Sequence, residues 1–304
     1  MKSGPFLAVV LLLLAGCAHD RARRPVHSSA SGSPVSRTEG RDNIRLQQSQ
    51  RYAEKNDSSP DGDAATLEQV ARLHEPVPKH EPLSRYGNGP DYSVLGHHYH
   101  VLSSARGYHK RGIASWYGRK FHGHLTSSLE PYDMYKFSAA HKTLPLPSYV
   151  RVTNLDNGKS VIVRVNDRGP FHANRLIDLS WAAAVRLGIW KKGTGRVDVR
   201  AIDPDHPGEL PAAAAVTTEG RTTRLYLQVG AYADAANARR MLSRLRGIGV
   251  AGARIEVSRA GGKELSRVQI GPLQNVADMD RVSRMLQRHA IQSARVEIQS
   301  SSEE

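Results

Sequence analysis

One short run in this 304-residue chain has the makings of a reactive loop: Val165-Asn166-Asp167-Arg168-Gly169-Pro170-Phe171. The residues before it, Val161 to Val165, read as a strand, and Gly169-Pro170 cannot continue a hydrogen-bonded ladder. Asp167 therefore stands at a strand end. A carboxyl group there can donate and retake a proton as a general acid and base, or it can cap the Gly-Pro bend as an Asx-type turn residue. Spacing alone favours the turn. The fourteen histidines invite a metal reading, above all Gly96-His97-His98-Tyr99-His100. On a strand His98 and His100 share one face while His97 points away, which is short of the three or four protein ligands that zinc takes. No metal and no cofactor is expected.

The elements that must position these groups follow from composition and pattern. The chain opens with Lys2, an apolar run from Phe6 to Leu14, and Leu14-Ala15-Gly16-Cys17. The run is too short to span a bilayer. It resembles a bacterial lipoprotein signal peptide, residues 1–16, cleaved before a lipidated Cys17. Ala18 follows that cysteine, where an aspartate would signal inner-membrane retention, so an outer-membrane lipid anchor facing the periplasm is expected. Cys17 is the only cysteine, so a lipidated chain has no thiol for disulfides or nucleophilic catalysis.

Residues 17–79 are rich in Ser, Arg, Gln, Asp and Pro and read as a disordered tether, with one helix candidate from Ala64 to Leu73. A flexible tether of that length spans on the order of 45 Å. A second break, 203–221, is a Pro/Ala/Thr linker. Two domains remain, 80–202 and 222–299. The formal charge of +14 is concentrated in them: fifteen Lys/Arg against six Asp/Glu between 111 and 200, and thirteen against eight between 222 and 304. An anionic partner for each is one reading; arginine faces that only keep the domains soluble are the other.

The C-terminal domain repeats itself. "RLYLQVGAY" (224–232) and "LSRVQIGPL" (265–273) are alternating strands carrying Gln-Val/Ile-Gly, each followed by a helical pattern, 234–245 and 276–286, and then by another strand, 253–258 and 294–299. The order is βαββαβ, the ferredoxin-like α+β arrangement. Leu225, Leu227 and Val229 face the helices and leave Gln228 on the open face, with Arg267 and Gln269 placed likewise by Val268 and Ile270. An RNA-recognition module would need aromatic residues at those positions, and the lipoprotein signal also argues against nucleic acid. The twin strands resemble the SPOR family of periplasmic domains, which bind peptidoglycan stripped of its stem peptides. The resemblance implies glycan contacts from Gln228, Tyr232, Arg267 and Gln269, and amides with arginines suit a polyanionic sugar chain.

The N-terminal domain shows short strands broken by Gly and Pro and one helix, Ser180 to Leu187 with Gly188 as its stop, which suggests a small all-β barrel. Its blocks "GIASWYGRKFHG", "EPYDM", "AAHKTLPLPSYVRVTN", "VNDRGPF" and "RLIDLSWAAAVRLG" resemble the rare lipoprotein A family, whose barrel is of the double-psi type and which includes lytic transglycosylases acting on denuded glycan strands. The resemblance implies cleavage between N-acetylmuramic acid and N-acetylglucosamine to 1,6-anhydro ends, in cell division and daughter-cell separation at the septal ring, with division-machinery proteins as further partners. It makes Asp167 the catalytic acid. It places Glu130, Asp133 and His141 in the same cleft, the two acids raising the pKa of Asp167 by like charge or holding the sugar, and His141 hydrogen-bonded within the cluster. Family members usually carry Asn-Gly where this chain has Ser128-Leu129. Asp178 reads as structural, beside the helix cap Ser180, and Trp116 and Tyr117 as core more than sugar platform. Two rivals remain: an expansin-like glycan binder without turnover, and a structural septal lipoprotein.

Overall fold

The computed structural model describes residues 58–59, 64–172, 174–206, 221–260, 263–291 and 294–302. The signal peptide, Cys17 and most of the expected tether and linker lie outside the described residues.

Six strands close the N-terminal barrel: β3 (His109–Tyr117), β4 (Ser138–His141), β5 (Ser148–Asn154), β6 (Ser160–Asp167), β7 (Ile177–Ser180) and β8 (Thr194–Ala201), in the order β3-β7-β4-β6-β5-β8. The pairs β3/β7 and β4/β6 are parallel and the other four antiparallel. β-branched residues at every second position, Val161, Val163 and Val165 on β6 and Val197 and Val199 on β8, point inward and are fully buried. Each stabilises the fold by about 1.5–3 kcal/mol relative to an exposed position. A short helix, α2 (Trp181–Leu187), seals the barrel with Trp181 and Leu187. Its start is fixed by Ser180, whose hydroxyl accepts from the Ala183 N–H, and its end by Gly188 at φ 74°, a conformation that favours glycine.

The tether does not run to residue 79 as composition suggested. Helix α1 (Ala64–Arg72) docks on the barrel with Val70 buried and Leu67 and Leu73 packed beside it. Its last turn is held by Arg186, which donates to the carbonyls of Val70 (3.1 Å), Ala71 (3.3 Å) and Leu73 (2.8 Å), the cation also suiting the negative helix end. Leu67, Val70 and Leu73 form a stripe at three-residue spacing, a local signal that the polar average of the segment masks. Residues 74–90 then run as a strap along the barrel to a separate two-stranded hairpin, β1 (Asp91–Val94) and β2 (His97–His100).

The C-terminal domain has the expected βαββαβ order: β9 (Arg221–Tyr232), α3 (Ala235–Gly247), β10 (Ala253–Ala260), β11 (Lys263–Leu273), α4 (Val276–Arg288) and β12 (Arg295–Ser302). The antiparallel sheet runs β10-β11-β9-β12. Asp234 and Asn275 cap the two helices. Leu225, Leu227, Val268 and Ile270 meet Ala238, Leu245, Met279 and Leu286 in its core.

All described residues fall within one compact unit, and the two domains touch. Ile113 of β3, fully buried, joins the C-terminal core cluster. Asn174 donates to the Ser283 hydroxyl at 2.6 Å, and Arg175 grips Asp280 with two bonds of 2.9 and 3.3 Å.

Candidate active site

Asp167 ends β6, and the loop 125–131 lies against it. Its Oδ1 accepts three hydrogen bonds: from the Ser127 N–H (2.8 Å), the Ser127 hydroxyl (2.6 Å) and the Arg168 N–H (2.7 Å). All three stabilise the anion, yet burial outweighs them and raises the pKa. The residue keeps a partly accessible edge, so a substrate can reach it. All three bonds fall on Oδ1, so a proton on this carboxyl would sit on Oδ2.

The Arg168 side chain makes no ion pair with this carboxyl. Its guanidinium turns away to the carbonyls of Gly87 (2.8 Å), His141 (3.0 Å) and Leu144 (2.5 Å) and to Asn88 Oδ1 (3.2 Å). Gly87 can be nothing else: at φ +78°, an added Cβ would lie 2.9 Å from the Ser127 carbonyl oxygen. The strap thus fixes both Arg168 and the loop that holds Asp167.

The other expected partners make bonds of their own. Glu130 is paired with Arg164 (2.6 and 3.0 Å) and Asn166 (2.9 Å); burial opposes ionisation, but these bonds win and its pKa is lowered. Arg164 is held from the other side by Glu81 at 2.8 Å. Asp133 accepts from the Tyr135 N–H and lies 3.6 Å from Lys136 and 3.8 Å from His122. Tuning of Asp167 by these two acids therefore gives way to burial, because both negative charges are matched by cations of their own. His141 is buried, bonded to the Tyr108 hydroxyl (2.8 Å) through Nε2 and accepting from the Thr143 and Leu144 N–H groups through Nδ1. Burial pushes its pKa down to about 3, so the ring is neutral and supports the Arg168 site through its carbonyl.

A second acid emerges that spacing did not reveal. Asp178 of β7 and Asp167 of β6 both pair with Ala140 of β4, one from each side, so their side chains share a face across roughly 10 Å. Asp178 accepts from the Ser115 hydroxyl. Burial, reinforced by the charge of Asp167, pushes it up to about 6 against Arg175 and Lys142. Lys142, lowered to about 8 by burial, donates to the carbonyls of His172 and Arg175. The junction with α2 made Asp178 look structural; only the barrel order brings it beside Asp167. Tyr117 stacks on Tyr132 at 4.0 Å and Trp116 packs on the core, as read from sequence.

Leu129 takes φ 63°, the conformation that an Asn-Gly turn supplies at lower cost. The loop nonetheless closes, with Thr126 N–H to the Glu130 carbonyl at 2.8 Å and Ser128 hydroxyl to the Asn166 carbonyl at 2.7 Å. In the hairpin His98 bonds Ser93 and His100 bonds Asp91, with His97 on the other face; among the described residues no group of three or more acids and histidines is placed to hold a metal. A separate hollow of about 340 Å³, lined by Glu81, Arg106, Tyr149 and Asp203, contains neither Asp167 nor Asp178.

In the C-terminal domain Gln228, Arg267 and Gln269 lie on the sheet face away from the helices, but Gln269 is not open as expected: it is 1% exposed and donates to Glu297 at 2.8 Å, which Arg267 approaches to 3.5 Å. Tyr232 differs. Gln228 pairs with Gln269 but Gly230 with Val268, so Val229 is an extra residue. That bulge turns Tyr232 to the helix side, where it packs on the core.

Residues 109–199 match the family model for a lytic transglycolase domain and 222–297 that for the SPOR domain. The chain is 40% identical over 266 residues to the endolytic peptidoglycan transglycosylase RlpA of Pseudomonas aeruginosa strain UCBPP-PA14, covering 71% of this chain and 76% of that one. The chain belongs to the RlpA family. RlpA of Vibrio cholerae is 51% identical over 157 residues, 52% of this chain and 58% of its own, so the chain spans little more than half of that relative. The solved SPOR domain of Pseudomonas aeruginosa RlpA is 26% identical, covering 24% of this chain and 96% of that one, with a TM-score of 0.23.

Proposed function

We propose that the chain is a peptidoglycan lytic transglycosylase acting endolytically on denuded glycan strands. The geometry of Asp167 carries the reading: burial raises its pKa and so favours the protonated acid, and three donors on Oδ1 receive the charge once the proton leaves. Asp167 protonates the glycosidic oxygen from Oδ2 and the C1–O bond breaks. The C6 hydroxyl of the same muramic sugar then attacks C1 and returns its proton to Oδ2, closing the 1,6-anhydro ring. No water is consumed and one carboxyl suffices, whereas hydrolysis commonly uses two. The SPOR domain is the reader of peptide-free strands, with the exposed lactyl carboxylates facing Arg267 and the amide of Gln228, while Gln269, buried and bonded to Glu297, shapes the face from beneath. Cys17 supplies an outer-membrane anchor, and the protein works in the periplasm at the division septum with the division machinery.

A second assignment of the acid is favoured by one observation, the rise of Asp178 to about 6. The deciding experiment incubates the full chain, Asp167→Asn and Asp178→Asn with amidase-treated sacculi and analyses the released material by mass spectrometry. Anhydromuramyl oligosaccharides are expected from wild type and Asp178→Asn and not from Asp167→Asn. The reverse pattern moves the acid to Asp178. Binding by all three with no products from any leaves the expansin-like, non-catalytic reading.

A further inference from the structure

Phe171, four residues after the proposed acid, meets the β1–β2 hairpin, which belongs to neither the barrel nor the SPOR sheet. The hairpin has two unlike faces. Asp91, Ser93, His98 and His100 bond one another on the first. On the second, Tyr92 pairs with and stacks on Tyr99 at 5.2 Å, and Phe171 closes on both, 6.3 Å from Tyr92 and 5.8 Å from Tyr99. His97 extends the row 6.5 Å beyond Tyr99. The inner end is tied to the catalytic loop: Tyr92 donates to the Lys142 carbonyl at 2.7 Å, and the Arg168 guanidinium lies 5.9 Å from its ring centre. The outer end reaches solvent, with His97 exposed and Tyr99 and Phe171 only half-buried.

A two-stranded hairpin is marginal on its own, and leaving aromatic surface half-covered at the edge of a catalytic loop is a poor way to secure one. Rings that present an apolar face and a polar tip suit ligands of the same mixed character, and a pyranose is such a ligand, with axial C–H bonds on one face and hydroxyls around its rim. We propose that Phe171, Tyr99 and His97 form a sugar-stacking subsite that holds a pyranose ring of the glycan strand next to the ring being cleaved. This rests on the transglycosylase reading. The subsite lies outside the matched catalytic region, 109–199, for all but Phe171.

The test uses the full chain and a peptide-free octasaccharide of alternating N-acetylglucosamine and N-acetylmuramic acid. Tyr99→Ala is expected to raise KM about tenfold with kcat within about twofold, the signature of lost ground-state and transition-state binding alike. Tyr99→Phe, which keeps the ring, should restore KM, and His97→Ala should give a smaller rise. His100→Ala, on the opposite face, should leave KM unchanged; if it and Tyr99→Ala move KM together, the hairpin matters only as a folded piece and the proposal fails. In an Asp167→Asn background a fluorotyrosine at position 99 should shift its fluorine resonance on octasaccharide addition. A shift with no turnover by wild type keeps the subsite and removes the transglycosylase reading. Turnover with no shift and an unaltered KM in Tyr99→Ala removes the subsite and keeps the enzyme. Neither shift nor turnover removes both.

Discussion

Burial raises the pKa of Asp167 against three hydrogen bonds, and the one that comes from a side chain can be removed by substitution. Ser127→Ala deletes the hydroxyl donor to Oδ1, so the anion is less stable and the pKa rises further. Activity needs the acid protonated, so its loss toward high pH should move to higher pH, while kcat falls roughly ten- to hundredfold because the charge left on Oδ1 is less well received. A pH–rate profile of the variant checks both signs. Asp178 gives a separate prediction about stability. Its folded pKa is about 6 against an unfolded value of about 3.9. The folded chain therefore binds the proton more tightly, and this group's contribution is full below the unfolded value and lost as pH rises to about 6. Asp178→Asn removes that loss, and should be more stable than wild type by roughly 1–3 kcal/mol at pH 8 relative to the same comparison at pH 4. Urea melts at the two pH values decide it. The sequence ranked Asp167, by its loop and the family resemblance, above Asp178 at an ordinary helix junction, but their shared face across Ala140 exists only once β4 lies between β6 and β7.

The loop 125–131 shows how an element absorbs an unfavourable residue. Leu129 stands at φ 63°, which costs about 1–2 kcal/mol for a residue with a Cβ. The bonds from Thr126 and Ser128 keep the turn in place. Leu129→Gly is expected to stabilise the protein by up to about 1 kcal/mol after the added entropy of the unfolded chain is counted, measured as a higher midpoint in thermal melts; a lower midpoint would mean that the leucine's packing outweighs its strain. Regular elements were legible because their period is local: the barrel strands, the Ser180 cap with Gly188, and the twin Gln-Val/Ile-Gly strands all follow from neighbouring residues. Two features escaped for the same physical reason. The docking of α1 depends on Arg186, more than a hundred residues away, and the side taken by Tyr232 depends on a bulge that only the register with β11 reveals.

Across the whole chain the positive charge divides between a domain proposed to cut and a domain proposed to read. Arg267→Ala and Gln228→Ala in the full chain should each weaken retention on amidase-treated sacculi, the first more steeply relieved by salt because its contact is ionic; equal retention on untreated sacculi would remove the preference for denuded strands. The two domains are joined by Arg175 and Asp280, which are mostly buried. A double-mutant cycle with Arg175→Ala and Asp280→Ala should return a coupling energy of about 1–3 kcal/mol in thermal or denaturant melts; a value near zero would make the contact incidental. The burial of Ile113 bears on biogenesis. This barrel residue is covered by the C-terminal core, and on a ribosome or emerging from a translocation pore the barrel is complete about a hundred residues before that core exists. During this interval an apolar spot on the nascent barrel faces water, and a cut between the domains that lets them part would uncover the same spot.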